Sequence, residues 1–391
     1  MDLKAIQSAL REAKLDGWLF YDHHHRDPIA YRVLGINPTM CTRRWYYLIP
    51  ASGEPSQLVH RIERNNLAGL PGVQHQYSSW TEQRTKLSEM LAGKKTIAMQ
   101  YSALNDIPYI GLVDAGTIEL VKSFGVDVIS SADLVQMFEA RWSEEALASH
   151  LEAGNGVHAA VRQAFEKIAD AVKNGKAIGE YDVQQEIARV FEAYGLEADE
   201  DAIVAVNENA SNPHYSPTPA TSRPIRRDDL VLLDVWGKLR KPGSVYFDIT
   251  WTGFVSEEVP PRYVEVFEVV KEARDAAISL VQTAVRERRP LRGYQVDDAA
   301  RGVITRHGYG EYFVHRTGHS LGEDVHGNGA NMDNFETRDD RRIIPHTCFT
   351  IEPGVYLPEF GVRSEVNVYV GETEARVTGE IQQAIVPIMA L

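Results

Sequence analysis

Apolar residues recur at helical spacing from the start of the chain. Leu3, Ile6 and Leu10 predict a helix over 2–14, ended by the Asp16-Gly17 turn. Trp18–Tyr21 then reads as a strand. Trp45–Ile49 and Gln57–His60 read as two more, around the turn residues Pro50-Ala51-Ser52-Gly53-Glu54-Pro55. Helices are expected over 82–92 and 131–140, and strands over Thr96–Gln100, Thr117–Val121 and Val126–Ile129. Mixed strands and helices of this size predict a small α/β domain over residues 1–140.

The pattern changes at Arg141-Trp142-Ser143. Ser143 suits a helix N-cap, and Glu144 and Glu145 suit the first turn. The helix that follows lines up Val157, Val161, Phe165, Ile168 and Val172. A second carries Val183, Ile187, Val190, Phe191 and Tyr194 up to Gly195. Ala202–Val206, Leu230–Trp236 and Val245–Gly253 are apolar runs of strand length, the last two joined through Arg240-Lys241-Pro242-Gly243. The plan then recurs. A helix after Pro260-Pro261 carries Val266, Val270, Ala273 and Leu280, and a shorter one spans 294–306. An offset of 113 residues aligns Tyr181 with Tyr294, Val183 with Val296, Val190 with Val303 and Gly195 with Gly308. Residues 141–391 are therefore expected to form an α+β domain of two related halves.

Composition narrows the class. With 391 residues, 43% apolar and 25% charged, this is an ordinary globular chain of two domains. Cys41 and Cys348 stand in no CxxC or Cys/His cluster, which argues against a disulfide framework or a thiolate metal site and for a reducing, cytoplasmic setting. No apolar leader and no long apolar run is present, so neither a signal peptide nor a membrane partner is expected. A net charge of −14 disfavours nucleic acid and leaves carboxylates available for cations.

The densest chemistry lies at Gly310–Gly327, GEYFVHRTGHSLGEDVHG, with His315, His319 and His326 among glycines that favour a turn-rich strand. A lone histidine is more often structural than a ligand, so the stretch needs carboxylates. Asp234 and Asp248 are equidistant from Lys241, and Glu352 and Glu365 are equidistant from the Pro358-Glu359 turn. Symmetric hairpins would make each pair direct cross-strand neighbours, with Cβ atoms ~5 Å apart. Like charges so placed in apolar segments are costly. Two divalent cations would balance four carboxylates; one would leave about −2 by simple charge counting. Arg363 is the one basic residue close in sequence to the second pair. His23-His24-His25 is a weaker candidate, because adjacent residues of a strand face opposite ways; a surface loop is expected there.

The motifs HRTGHSLGEDVHG (315–327), FTIEPGVYLP (349–358), GVRSE (361–365), LVLLDVWG (230–237) and FDIT (247–250) resemble the pita-bread (M24) metallopeptidases, in particular the aminopeptidase P/prolidase branch. Residues 1–140 resemble the creatinase-type N-terminal domain of that branch. The resemblance implies a duplicated pita-bread catalytic domain over 141–391. It implies metal ligands Asp234, Asp248, His319, Glu352 and Glu365, with Asp248 and Glu365 bridging two divalent ions. An oxygen-rich set with one imidazole suits Mn²⁺, Co²⁺ or Zn²⁺. Glu352 would be the general base, His214 and His326 would orient substrate or stabilise an oxyanion, and His315 would support a proton relay. Arg363 matches a further substrate-side position. The implied substrate is a small peptide with proline at its second position, cleaved by a homodimer to which His24, Arg26 or Arg43 could contribute from the partner chain. Tyr215, Tyr246 and Tyr356 are candidates for an aromatic wall. Two departures stand out. The Asp234–Asp248 interval is 14, three longer than usual in the family, and Val366 occupies a position that is often acidic. Competing readings are a hydrolase of a non-peptide amide or C–N bond, with or without metal, and a non-catalytic pita-bread binding protein.

Overall fold

The computed structural model describes residues 1–391, which divide into two compact units, Met1–Glu139 and Ala140–Leu391.

The first unit is a six-stranded mixed sheet. Its strands are β1 (Gly17–Asp22), β2 (Trp45–Pro50), β3 (Ser56–His60), β4 (Val73–Tyr77), β5 (Thr96–Met99) and β6 (Asp127–Ser130), ordered β4-β3-β2-β1-β5-β6. Helices α1 (Leu3–Glu12), α2 (Pro28–Leu34), α3 (Trp80–Leu91), α4 (Ala115–Lys122) and α5 (Ala132–Val135) complete it. Every residue of β1 is buried, because alternate side chains serve different cores. Trp18 and Phe20 join Leu10 and Ile29, whereas Leu19 and Tyr21 join Leu87 and Ile118. One expected strand is wrong: Thr117–Val121 lies inside α4. The Asp114 carboxylate accepts the Thr117 N–H at 2.9 Å, and this cap starts a helix despite the β-branched run. The polar strand β4 carries no apolar alternation and escapes a pattern-based reading.

The second unit repeats one plan. Helices α6 (Glu144–Lys173) and α7 (Glu180–Tyr194) cover strands β7 (Leu196–Glu197), β8 (Ile203–Val206), β9 (Leu230–Leu239) and β10 (Phe247–Phe254). Helices α8 (Pro261–Arg286) and α9 (Gly293–Arg306) share a second core with β12 (Thr347–Ile351), β13 (Gly354–Leu357), β14 (Phe360–Arg363) and β15 (Val366–Val370); β11 (Ser320–Leu321) and β16 (Ala375–Thr378) flank β12 and β15, and β17 (Val386–Pro387) pairs with β10. The second helices of the two halves start alike. The Gly179 N–H donates to Asp182 at 2.8 Å, and the Arg292 N–H donates to Gln295 at 2.9 Å. No helix is long and apolar enough to cross a membrane.

The first acidic hairpin departs from the expected register. Asp248 faces Trp236, and Asp234 faces Thr250. The connection is asymmetric: the Arg240 N–H turns to the Gly195 carbonyl and Ser244 closes back on Lys241, so β10 starts only at Phe247. The slip is two residues, which keeps both carboxylates on one face of the sheet. In the second hairpin, Gly354 faces Arg363 and Ile351 faces Val366, so Glu352 and Glu365 lie level between the two ladders. They sit in a gap because their N–H groups leave for other partners, Thr317 O at 2.7 Å and Thr250 O at 3.2 Å.

His150 on α6 offers a test of this packing. Its Nδ1–H donates to the Tyr246 carbonyl at 2.7 Å, and its Nε2 accepts from Thr378 at 2.7 Å. Burial depresses its pKa to about 4. A depressed folded pKa means the unfolded chain takes the proton first as pH falls. The neutral ring's contribution is thus complete above about pH 6.5 and is lost on descent toward pH 4. In urea titrations at pH 7.5 and 5, we expect the wild type to lose about 2 kcal/mol more than His150→Gln over that interval; equal slopes would contradict the assignment.

Candidate metal centre

Two of the acids come from β9 and β10 and two from the gap in the second hairpin. Side-chain bonds bring these segments together. Thr250 Oγ1 donates to Glu365 Oε2 at 2.7 Å, Thr252 Oγ1 donates to the Arg363 carbonyl at 3.1 Å, and the Asp248 N–H donates to Asn367 Oδ1 at 3.2 Å. Odd–even alternation explains the choice: positions 248, 250 and 252 share one face of β10.

The histidine arrives by a close approach. A Cβ on Gly318 would lie 1.9 Å from the Thr350 carbonyl oxygen, so only glycine lets this loop lie on β12. His319 is thereby placed with Nε2 3.6 Å from Asp248 Oδ2 and 3.5 Å from Glu352 Oε1. Its N–H donates to Thr350 Oγ1 at 2.9 Å, and that hydroxyl donates to Glu352 Oε1 at 3.2 Å. Nδ1 faces the Ser320 carbonyl at 3.2 Å, which puts the ring proton on Nδ1 and a lone pair on Nε2.

The carboxylates of the cluster oppose one another electrostatically. Asp248 and Glu365 titrate far above the usual carboxylate range, first from burial and then from neighbouring carboxylates. Glu352 is raised to about 7, chiefly by burial, with Arg363 opposing. Burial also raises Asp234, against the pull of Arg363. His319 is held well below its ordinary value by burial and by His326, so it is neutral. Asp248 Oδ1 is buried without any hydrogen-bond partner. An unprotonated imidazole nitrogen facing two carboxylates has a favourable contact only where a cation or a carboxyl proton lies between them. Two donors each ~2.1 Å from one ion lie about 3.4–3.6 Å apart at angles near tetrahedral, which is the spacing of His319 from Asp248 and Glu352. Ligand atoms of Asp248, His319 and Glu365 all lie within 4.8 Å of one another. The residues present fit divalent cations.

Arg363 is the internal counter-charge. It pairs with Asp234, donates from Nε to Thr250 Oγ1 at 2.9 Å and from Nη1 to Tyr356 Oη at 3.0 Å, and lies 4.0 Å from Glu352. Tyr356 Oη meets His315 Nε2 at 2.6 Å, while His315 Nδ1 donates to the Arg316 carbonyl at 2.6 Å. His315 is thus neutral and bonded at both nitrogens, its pKa lowered to about 3 by burial and then by Arg363. His326 stacks edge-on against His319 with centroids 4.4 Å apart, and burial followed by the charge of Arg316 lowers its pKa. His214 lies exposed in the loop after Asn212, near enough to influence both Asp234 and His326. Asp234 and Glu352 keep 13% and 15% side-chain exposure, which opens the cluster on their side.

Other named residues lie elsewhere or act differently. The Tyr215 hydroxyl is tied to Glu180 at 2.6 Å, and Tyr246 reaches Asp199 at 3.4 Å. His24 and His25 form a turn after β1 with φ of 66° and 57°; the buried Asp22 carboxylate holds it through the N–H groups of His25, Arg26 and Asp27. Three residues were missed by motif reading: Thr250, Thr350 and Arg316. The two threonines stand two positions from a ligand candidate on a strand, the period that would have flagged them. Arg316 sits inside the histidine cluster, and its charge reaches His319, His326 and Glu352. A groove of about 700 Å³ beside Glu268 and Glu272 on α8 and His307 at the end of α9 contains none of these groups.

Comparison with known proteins adds an independent line. The family model of metallopeptidase family M24 matches residues 152–372. An Xaa-Pro dipeptidase of Lactobacillus helveticus is 30% identical over 246 residues, covering 62% of this chain and 60% of that relative's length. Among solved structures, dipeptidase PepE from Mycobacterium ulcerans superposes with a TM-score of 0.70 at 23% identity, over 98% of this chain and 96% of that one. The prolidase from Pyrococcus horikoshii OT3 superposes with a TM-score of 0.64 at 21% identity, over 98% and 99%. At these identities the two structures establish the fold.

The role of Arg363 can be tested without metal. Arg363→Met strands Asp234 beside three further carboxylates. We expect the metal-free variant to lose about 3–5 kcal/mol at neutral pH in chemical denaturation. A loss below about 1 kcal/mol, the worth of an exposed pair, would show that Arg363 is not the counter-charge.

Proposed function

Because this chain belongs to metallopeptidase family M24, we propose that it hydrolyses the peptide bond between an N-terminal residue and proline, using two divalent cations held by Asp234, Asp248, His319, Glu352 and Glu365. The observation that carries this reading is the gathering of Asp248, His319 and Glu365 ligand atoms within 4.8 Å of one another, with Glu352 3.5 Å from His319, Asp248 Oδ1 orphaned and His319 Nε2 unprotonated among carboxylates. Asp248 and Glu365, which with His319 have ligand atoms within 4.8 Å of one another, would each help to hold both ions; Mn²⁺, Co²⁺ and Zn²⁺ all suit the donors. A metal-free hydrolase or a binding module would have no use for this donor set. The reading includes a creatinase-type N-terminal domain over 1–140, a catalytic domain over 141–391, a homodimer and a cytoplasmic setting.

Divalent cations at this site supply Lewis acidity toward the scissile carbonyl and the attacking water. The chain's own groups do the rest. Glu352, oriented by Thr350, takes the proton of the water and passes it toward the leaving proline nitrogen. His326 and His214, on the open side, donate hydrogen bonds to the oxygen that gains charge and orient the peptide. His315 fixes Tyr356 through Nε2, and Arg363 holds the same hydroxyl, so the two act on substrate through a rigid phenol.

The full chain, stripped of metal and reloaded with Mn²⁺, should cleave Xaa-Pro dipeptides or Xaa-Pro-Yaa tripeptides; comparing the two separates prolidase from aminopeptidase P specificity. Asp248→Asn and Glu365→Gln should each lose bound metal and at least ~10³-fold in kcat. Full activity in either variant would refute the assignment, and a metal-loaded chain that cleaves no proline peptide would point to a non-peptide amide.

A further inference from the structure

We propose that Asp297 is a positioning residue for the His319–Glu352 wall of the candidate metal centre, an inference that rests on the metal reading above. Asp297 lies on α9, fully buried, and touches neither His319 nor Glu352 directly. Its Oδ1 accepts from Thr317 N–H at 2.9 Å, Thr317 Oγ1 at 2.7 Å and Arg301 Nη2 at 3.0 Å. Its Oδ2 accepts from Arg301 Nε at 2.9 Å and from the Asn334 N–H at 3.3 Å. Arg301 in turn donates to the carbonyls of Phe313 at 2.9 Å and His315 at 2.7 Å. One carboxylate thus sets the backbone path from Phe313 to Thr317.

Thr317 carries that placement into the centre. Its carbonyl accepts the Glu352 N–H at 2.7 Å, and Gly318 and His319 follow it directly. Gly318 lies so close to β12 that an added Cβ would stand 1.9 Å from the Thr350 carbonyl oxygen, so a shift at Thr317 moves His319 and Glu352 together. The stability of the fold does not call for such a group. A buried ion pair such as Asp297–Arg301 can be replaced by apolar residues of similar volume at little cost, or with gain. Its distinct contribution is geometric.

The other half gives an independent sign. Gln184 stands 113 residues before Asp297, at the same turn of α7, and is also buried. Its Nε2 donates to the Ala202 carbonyl at 2.8 Å and reaches Ser216 Oγ at 3.4 Å, two residues beyond His214. The same position of the second helix addresses a histidine-bearing loop in both halves, and the half that supplies a candidate histidine ligand has the carboxyl group that accepts several hydrogen bonds.

The test titrates Co²⁺ into the metal-free full chain of wild type, Asp297→Asn and Thr317→Val, following the visible absorption of the bound ion, with thermal unfolding measured in parallel. Thr317→Val removes only the hydroxyl bond and is expected to fold. We expect Asp297→Asn to weaken Co²⁺ binding about 10–100-fold and to change the ligand-field bands, and Thr317→Val to move both in the same direction by a smaller factor. Wild-type affinity and spectrum in Thr317→Val, and in Asp297→Asn if it folds, would overturn the proposal whatever happens to the melting temperature. A wild-type chain that binds no Co²⁺ would instead overturn the metal reading on which it rests.

Discussion

Four carboxylates held close together out of water set the terms for this structure. Asp234, Asp248 and Glu352 raise the proton affinity of others in the group, on top of the burial that raises all four carboxylates. Arg363 offsets one charge, through Asp234. The rest is left to protons or to cations, and the neutral His319 beside Asp248 and Glu352 selects a cation that accepts a nitrogen donor. Membership of a metallopeptidase family and this local electrostatics point the same way for separate reasons.

The duplicated fold is what makes such crowding possible. Each half contributes a helix pair with its own apolar core and an antiparallel strand pair that carries or adjoins two acids. Threonines on β10 then sew the two acid-bearing segments together. The cost of gathering like charges is carried by cores distant from them, which is how a rigid scaffold sustains a locally unfavourable cluster. The loop bearing His319 is pressed onto β12 at Gly318, so the imidazole has no independent freedom.

Much of this was legible in the sequence. The helix pairs announce themselves through apolar periodicity, and the offset of 113 residues survives as matched hydrogen bonds at Gly179 and Arg292. The second hairpin keeps the register that its turn symmetry implies. The first does not, because the Arg240 N–H is captured by Gly195, a contact remote in sequence that midpoint counting cannot anticipate. Thr117–Val121 fails for the opposite reason: a local cap at Asp114 outweighs β propensity. Arg363 reads in sequence as the neighbour of the second acid pair, whereas in space it serves Asp234 of the first. Asp297 carries no motif at all. Its role depends on which loop α9 faces, and that is a property of the tertiary structure alone.

The most direct measurement is anomalous diffraction at the manganese edge from crystals of the full chain grown with Mn²⁺. Two ordered peaks are expected, enclosed by Asp234, Asp248, His319, Glu352 and Glu365, with Asp248 and Glu365 shared between them. No peak among these five side chains, or manganese bound elsewhere while Arg363 alone balances the cluster, would contradict it.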